Sequence, residues 1–143
     1  MTAGRQKADW VLKKAAYVNV CAGQLETEDI AGEEGIIVGL GEYAGLQEVD
    51  MTGKVVCPGF IDAHIHLESS LVSPAEFVRA VVPHGTTTVI TDPHEITNVM
   101  GTDGIDYMLE ATEGLPVDVQ FMIPSCVPAS PLDESGANLD YRD

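Results

Sequence analysis

"PGFIDAHIHLESS", Pro58 to Ser70, is the stretch on which the reading of this chain turns. It places two of the chain's four histidines one residue apart in an otherwise apolar run, with Asp62 and Glu68 in step with them. Side chains of a β-strand alternate faces, so a strand here puts Asp62, His64, His66 and Glu68 on one face and Ile61, Ala63, Ile65 and Leu67 on the other. The apolar face packs against helices. The polar face needs something that satisfies two imidazoles and two carboxylates, and His64 beside His66 offers the nitrogen donors of a divalent transition-metal site. The same HxH spacing also describes a partly exposed pair on an edge strand; the apolar context and Asp62 favour the metal.

Outward from this stretch the chain changes rhythm. Residues 1–57 carry short β-like runs punctuated by glycine ("WVLKKAAYVNV", "GIIVGLGEY", "KVVC"), spaced too tightly for helices, which predicts a small antiparallel β segment. Beyond Pro58, Phe60 to Leu67 reads as a strand. "SPAEFVRAVVPHG" reads as a helix with Ser73 at the N-cap, Pro74 at the first position, Glu76 completing a capping box and Gly85 past the end. "TTTVIT" is a second strand, Asp103 to Glu113 a helix stopped by Gly114, and "VDVQFMI" a third strand. Strands separated by crossover helices belong to a parallel sheet, so the fold class is α/β. Asp92 to Thr102 reads as a loop longer than the usual βα connection of about 2–6 residues, a length commonly tied to function. The tail "PASPLDESGANLDYRD" is expected to end in a loop or fray.

That long loop opens with "TDPHEITN", Thr91 to Asn98. Parallel strands bring their C-terminal ends together, and ligand sites of such sheets lie at that end. Asp92, His94 and Glu95 are therefore expected beside His66, in substrate contact or in orienting a ligand; the competing reading is an Asp-Pro turn with a solvated His-Glu pair. His84 falls at a helix end and reads as structural. "HEITN" begins like a zincin motif but has Asn98 where the second histidine is required. "HLE" matches half of a cytidine-deaminase signature, yet no PCxxC follows. Ser125 and Cys126 have no adjacent base, which leaves a turn with a buried thiol.

Composition narrows the partners. With 23 acidic against 7 basic residues the formal net charge is −16, which repels phosphate backbones and anionic lipid, so neither a nucleic-acid polymer nor a membrane surface is expected. A neutral or cationic small molecule, or a metal ion, fits better. Cys21, Cys57 and Cys126 are odd in number and widely spaced, giving neither a disulfide framework nor a zinc knuckle, and they read as core cysteines of a cytoplasmic protein. "MTAGRQKADW" leads into no apolar leader segment.

"PGFIDAHIHLESS", together with "TTVITDPHEITNVMG", "FMIPSCVPAS" and the upstream "VDMTGKVVCPGF", resembles the amidohydrolase superfamily of metal-dependent hydrolases, and within it the adenine deaminase family. The resemblance implies that residues 58–143 begin an amidohydrolase-type β/α barrel after the β segment of residues 1–57. It implies hydrolysis of adenine to hypoxanthine and ammonia by a metal-activated hydroxide, a purine-salvage reaction. His64 and His66 match the first-strand ligands of a binuclear centre, most often manganese or iron, with zinc an alternative, and a homo-oligomer is compatible with the family. A barrel needs about 250 residues and eight strands, whereas three strands are countable here. The chain is thus expected to be an N-terminal portion whose catalytic carboxylate lies beyond residue 143. Another cyclic-amide amidohydrolase, or a non-catalytic remnant that acts as an interaction module, stays open beside this reading.

Overall fold

The computed structural model describes residues 7–140 and 142–143; residues 1–6, where a leader was sought, and Tyr141 lie outside them. The chain divides into two compact units between Pro58 and Gly59.

The first unit is a five-stranded sheet: β1 (Ala8–Asn19), β2 (Gln24–Glu33), β3 (Ile36–Leu40), β4 (Gly45–Asp50) and the short β5 (Val55–Val56). β1 pairs antiparallel with β2, and β2 with β3, but β4 and β5 run parallel to β1. The sheet is therefore mixed, not antiparallel throughout as the glycine punctuation predicted. Turn residues report where a strand ends; they do not report which neighbour the next strand chooses. Trp10 lies directly opposite Gly32, and a Cβ on Gly32 would sit 1.9 Å from the indole, so the ring occupies the space of the missing side chain. β1 bulges between Leu12 and Ala15, with Lys14 at φ 54°. Asp29 on β2 holds that bulge, its carboxylate accepting from the Lys14 backbone N–H at 2.9 Å and from the Lys13 ammonium. Those two donors hold the Asp29 carboxyl below the usual range. Val11, Ala15, Ile30 and Ala31 are fully or nearly fully buried in this unit.

The second unit is a parallel sheet in the order β6 (Phe60–Ile65), β7 (Thr86–Thr91), β8 (Asp118–Phe121). Helix α1 (Pro74–Val81) starts at Ser73, whose hydroxyl accepts from the Glu76 N–H at 3.4 Å. The Glu76 carboxylate does not return the bond; it pairs with Arg79 at 2.9 Å, so half of the capping box forms. A 3₁₀ turn, Val82–His84, ends at Gly85 with φ 97°, a conformation glycine adopts without steric cost. Val78, Val89 and Val117 form the core, with Ile65, Phe77, Leu115 and Val119 against it.

The loop expected after β7 fails for an identifiable reason. The predicted loop at Asp92 to Thr102 is mostly helix: α2 (His94–Met100), then α3 (Thr102–Thr112) after Gly101. α2 has seven residues, too few to display an apolar period, and its start is secured by Thr97 Oγ1 donating to the Pro93 carbonyl and by a carboxylate from elsewhere in the chain. The tail is a loop, as expected, and it is tied down at two places. Gly136 N–H and the Ser135 hydroxyl donate to the Asn98 carbonyl at 2.9 and 2.8 Å, and Val127 pairs with Leu139. All three cysteines are exposed and unpaired, against the buried positions expected of them. No helix among the described residues is long and apolar enough to cross a membrane.

Tyr17 faces Glu26 across β1 and β2, and its hydroxyl donates to that carboxylate, which drives the phenol up to about 12. A raised phenol stabilises the fold below the unfolded-state value, and that contribution fades as pH climbs through the folded one. In an ultraviolet difference titration against Tyr17→Phe, Tyr17 should ionise at about 12, and Glu26→Gln should bring it back toward the ordinary value of about 10.

Candidate functional site

β6 ends at Ile65, one residue before His66, and Leu67–Ser70 turn into a 3₁₀ helix that buries Leu67. The strict alternation read over Asp62 to Glu68 is therefore interrupted. The pairing of β6 with β7 slips between Asp62 and Ile65, and the His64 N–H folds back onto the Asp62 carboxylate at 3.2 Å. Asp62 thus serves its own backbone. His64 and His66 nevertheless stand side by side, ring centroids 5.1 Å apart and edge to face.

β7 delivers Asp92. Its N–H donates to the Ile65 carbonyl at 2.9 Å, extending the ladder by one rung, so the end of β7 lies beside the end of β6. One donor atom from each of His64, His66 and Asp92 falls within a 4.8 Å cluster. The Asp92 carbonyl lies 2.8 Å from His66 Nδ1. A carbonyl only accepts, so Nδ1 carries a proton, and the neutral ring in that orientation has its lone pair on Nε2, the arrangement found in metal-binding histidines. Asp92 Oδ1 is buried without a hydrogen-bond partner. Such an orphan costs about 1–3 kcal/mol unless something satisfies it. A neutral imidazole nitrogen, a second imidazole and an unsatisfied carboxylate oxygen are the donor set of a divalent transition metal, and the residues present fit one.

A second layer sits behind His66. Glu95, on the first turn of α2, places Oε2 3.0 Å from His66 Nδ1, and its Oε1 accepts from the Ser69 hydroxyl at 2.8 Å. Burial pushes the Glu95 carboxyl up, but the Ser69 hydroxyl, its own backbone N–H and the neighbouring His66 together bring it below the usual range. Glu68 Oε1 accepts from the Ile96 N–H at 3.1 Å, the third N–H of α2, where a carboxylate satisfies an open donor and opposes the positive end of the helix. His94 opens α2 at the same end of the sheet, half-buried; among the described residues no hydrogen bond or ion pair ties it to the cluster. Asn98 turns to the tail, its side chain accepting from Ser135 at 3.1 Å. Ser125 Oγ and Cys126 Sγ lie 3.6 Å apart, and among the described residues no histidine or carboxylate is hydrogen-bonded to either.

Strand alternation puts Glu68 on the polar face but assigns neither it nor Ser69 its bond to α2. Their partners lie 26 to 28 positions downstream, and no local pattern reports a bond of that span. The sole signal was the unusual polarity of "HLESS" directly after an apolar strand.

The amidohydrolase family model matches residues 55–142. The chain is 55% identical over 133 residues to an adenine deaminase of Desulfitobacterium hafniense (strain Y51), an alignment that covers 93% of this chain and 23% of that protein. It spans about a quarter of the length of the curated relatives it matches. Among solved structures it is similar to a D-hydantoinase (dihydropyrimidinase) from Thermus sp., with a TM-score of 0.63 and 27% identity over 81% of this chain and 28% of that one. It is also similar to an N-acyl-D-glutamate deacylase from Bordetella bronchiseptica, complexed with zinc and a phosphonate inhibitor, with a TM-score of 0.51 and 27% identity over 60% of this chain and 19% of that one.

Replacing Glu68 with Ala should open the first turn of α2, at a cost of about 1 kcal/mol. The amide of Ile96 should then exchange with solvent about five- to tenfold faster, while amides of β7 keep their protection.

Proposed function

This chain belongs to the amidohydrolase family, and from that membership we propose that it supplies part of the active site of a metal-dependent adenine deaminase, which converts adenine and water to hypoxanthine and ammonia. The reading is carried by the gathering of His64, His66 and Asp92 donors within 4.8 Å. It is supported by the chain's 55% identity to the Desulfitobacterium enzyme.

His64 and His66 would hold a divalent cation through neutral nitrogens, with the orphaned Asp92 oxygen as a third donor. Manganese or iron is our choice of ion, with zinc the alternative. When bound, such a cation lowers the pKa of water toward neutrality and makes a nucleophile available at ordinary pH. The chain's own residues do the rest of what is assigned to them. The Asp92 carbonyl fixes the His66 proton on Nδ1, and the end of β7 keeps that carbonyl in place. His94, at the first residue of α2, is our candidate for substrate contact, where an imidazole can hold or move a proton for the ring nitrogen or the leaving ammonia. Adenine is neutral, which suits a chain of net charge −16. Three free cysteines fit a reducing compartment, so a cytoplasmic location is part of the proposal.

A second reading, hydrolysis of a cyclic amide, draws on the similarity to D-hydantoinase. Assay of the full-length protein with manganese, on adenine and on hydantoin in parallel, separates the two: ammonia release from adenine is expected, and turnover of hydantoin alone would overturn the choice. His64→Ala or His66→Ala should lower both metal retention and turnover by more than about 100-fold, beyond the loss typical of a residue that only orients a ligand. The circular dichroism spectrum should stay unchanged.

A further inference from the structure

Two segments far apart in sequence are tied together behind His66. Residues 66 to 69 contribute an imidazole, a carboxylate and a hydroxyl; residues 92 to 96 contribute a carbonyl, a carboxylate and a backbone N–H. Four contacts join them: His66 Nδ1 to the Asp92 carbonyl at 2.8 Å, His66 Nδ1 to Glu95 Oε2 at 3.0 Å, Ser69 Oγ to Glu95 Oε1 at 2.8 Å, and the Ile96 N–H to Glu68 Oε1 at 3.1 Å. Both Glu95 oxygens are engaged, one by the hydroxyl and one by the ring.

Stability does not account for the Glu95 contact with His66. The Glu95 side chain is 49% exposed, and a pair as open as that is worth about 0–1 kcal/mol. Orientation does account for it. The second torsion of a histidine is broad and roughly two-fold, so one acceptor at Nδ1 leaves the ring free to rock. A carboxylate oxygen from a different element, 3.0 Å from the same nitrogen, restricts it electrostatically and also raises the basicity of the opposite nitrogen. Ser69 fixes the carboxylate itself, and Glu68, its neighbour in the same 3₁₀ turn, caps the helix that carries Glu95.

We propose that Glu95 is a positioning residue for His66: Ser69 aims its carboxylate, and the carboxylate holds the imidazole as the Nδ1–H tautomer with Nε2 left unprotonated for a divalent cation. This rests on the metal reading of the site and assigns it an outer partner.

The test uses the chain labelled with ¹⁵N at histidine, with His66 assigned from the resonances lost in His66→Gln. Long-range ¹H–¹⁵N spectra of the metal-free protein report the tautomer, and calorimetric titration with Zn²⁺ reports affinity. The wild type should show Nδ1–H. Glu95→Ala should give a mixture of tautomers and bind Zn²⁺ about 10–100-fold more weakly. Glu95→Gln, which keeps an acceptor, should recover the tautomer and most of the affinity, and Ser69→Ala should fall between. If Glu95→Ala keeps the wild-type tautomer and affinity, the Asp92 carbonyl alone positions the ring and the proposal is overturned. Equal loss of affinity in Glu95→Ala and Glu95→Gln without a tautomer change would also overturn it, since charge alone would then be responsible. If the wild type takes up no Zn²⁺ while Glu95→Ala still loses the tautomer, the metal reading fails and the positioning role stands.

Discussion

The hydrogen bond from His66 Nδ1 to the Asp92 carbonyl, 2.8 Å long, is the contact on which the site depends. It joins the end of β6 to the end of β7, and it can exist only because the two strands are parallel and adjacent, with Asp92 N–H continuing the ladder to Ile65. Its direction is forced, since a carbonyl has no proton to give. The proton therefore sits on Nδ1, and in the neutral ring Nε2 is the nitrogen with a lone pair to offer. The same strand end that supplies the carbonyl brings the Asp92 carboxylate beside His64 and His66. One backbone position thus sets the tautomer of one donor and the location of another.

The site is assembled from the ends of elements, which is where parallel α/β architectures leave open backbone and polar side chains. Its cost is visible in the atoms left over. Glu68 Oε2, Thr91 Oγ1 and Asp92 Oδ1 are buried without partners, and all three belong to the segments that close β6 and β7. Other buried side chains among the described residues are satisfied, as with Thr97 and Thr112, whose hydroxyls donate to carbonyls four residues earlier in the chain. A concentration of unsatisfied oxygen atoms at one end of one sheet marks a place shaped for something other than the stability of these residues.

Much of the second unit was legible because its signals are local. Ser73 and Pro74 announce α1, "TTTVIT" between Gly85 and Pro93 announces β7, and Gly114 marks the end of α3. What escaped depended on distant partners. α2 was read as a loop because its polar residues His94, Glu95, Thr97 and Asn98 show no apolar face, and the carboxylate that caps it comes from Glu68. The composition of the tail announces its loop, but no local pattern reports that Asn98 holds Ser135 and Gly136. The parallel pairing of β4 and β5 with β1 was equally invisible, since alternation gives a strand's faces and not its neighbours. At the site, the proximity of His64, His66 and Asp92 could be argued from strand parity and βα topology. The roles of Glu68 and Ser69 could not, because the 3₁₀ turn after His66 breaks the parity that would have placed them.

X-ray absorption at the metal edge of the zinc-loaded chain addresses the central claim most directly. Two imidazole nitrogens and a carboxylate oxygen at about 2.0–2.2 Å are predicted, with the imidazole scattering reduced by half in His64→Ala and in His66→Ala. A ligand shell of oxygen atoms alone, unchanged by either substitution, would contradict it.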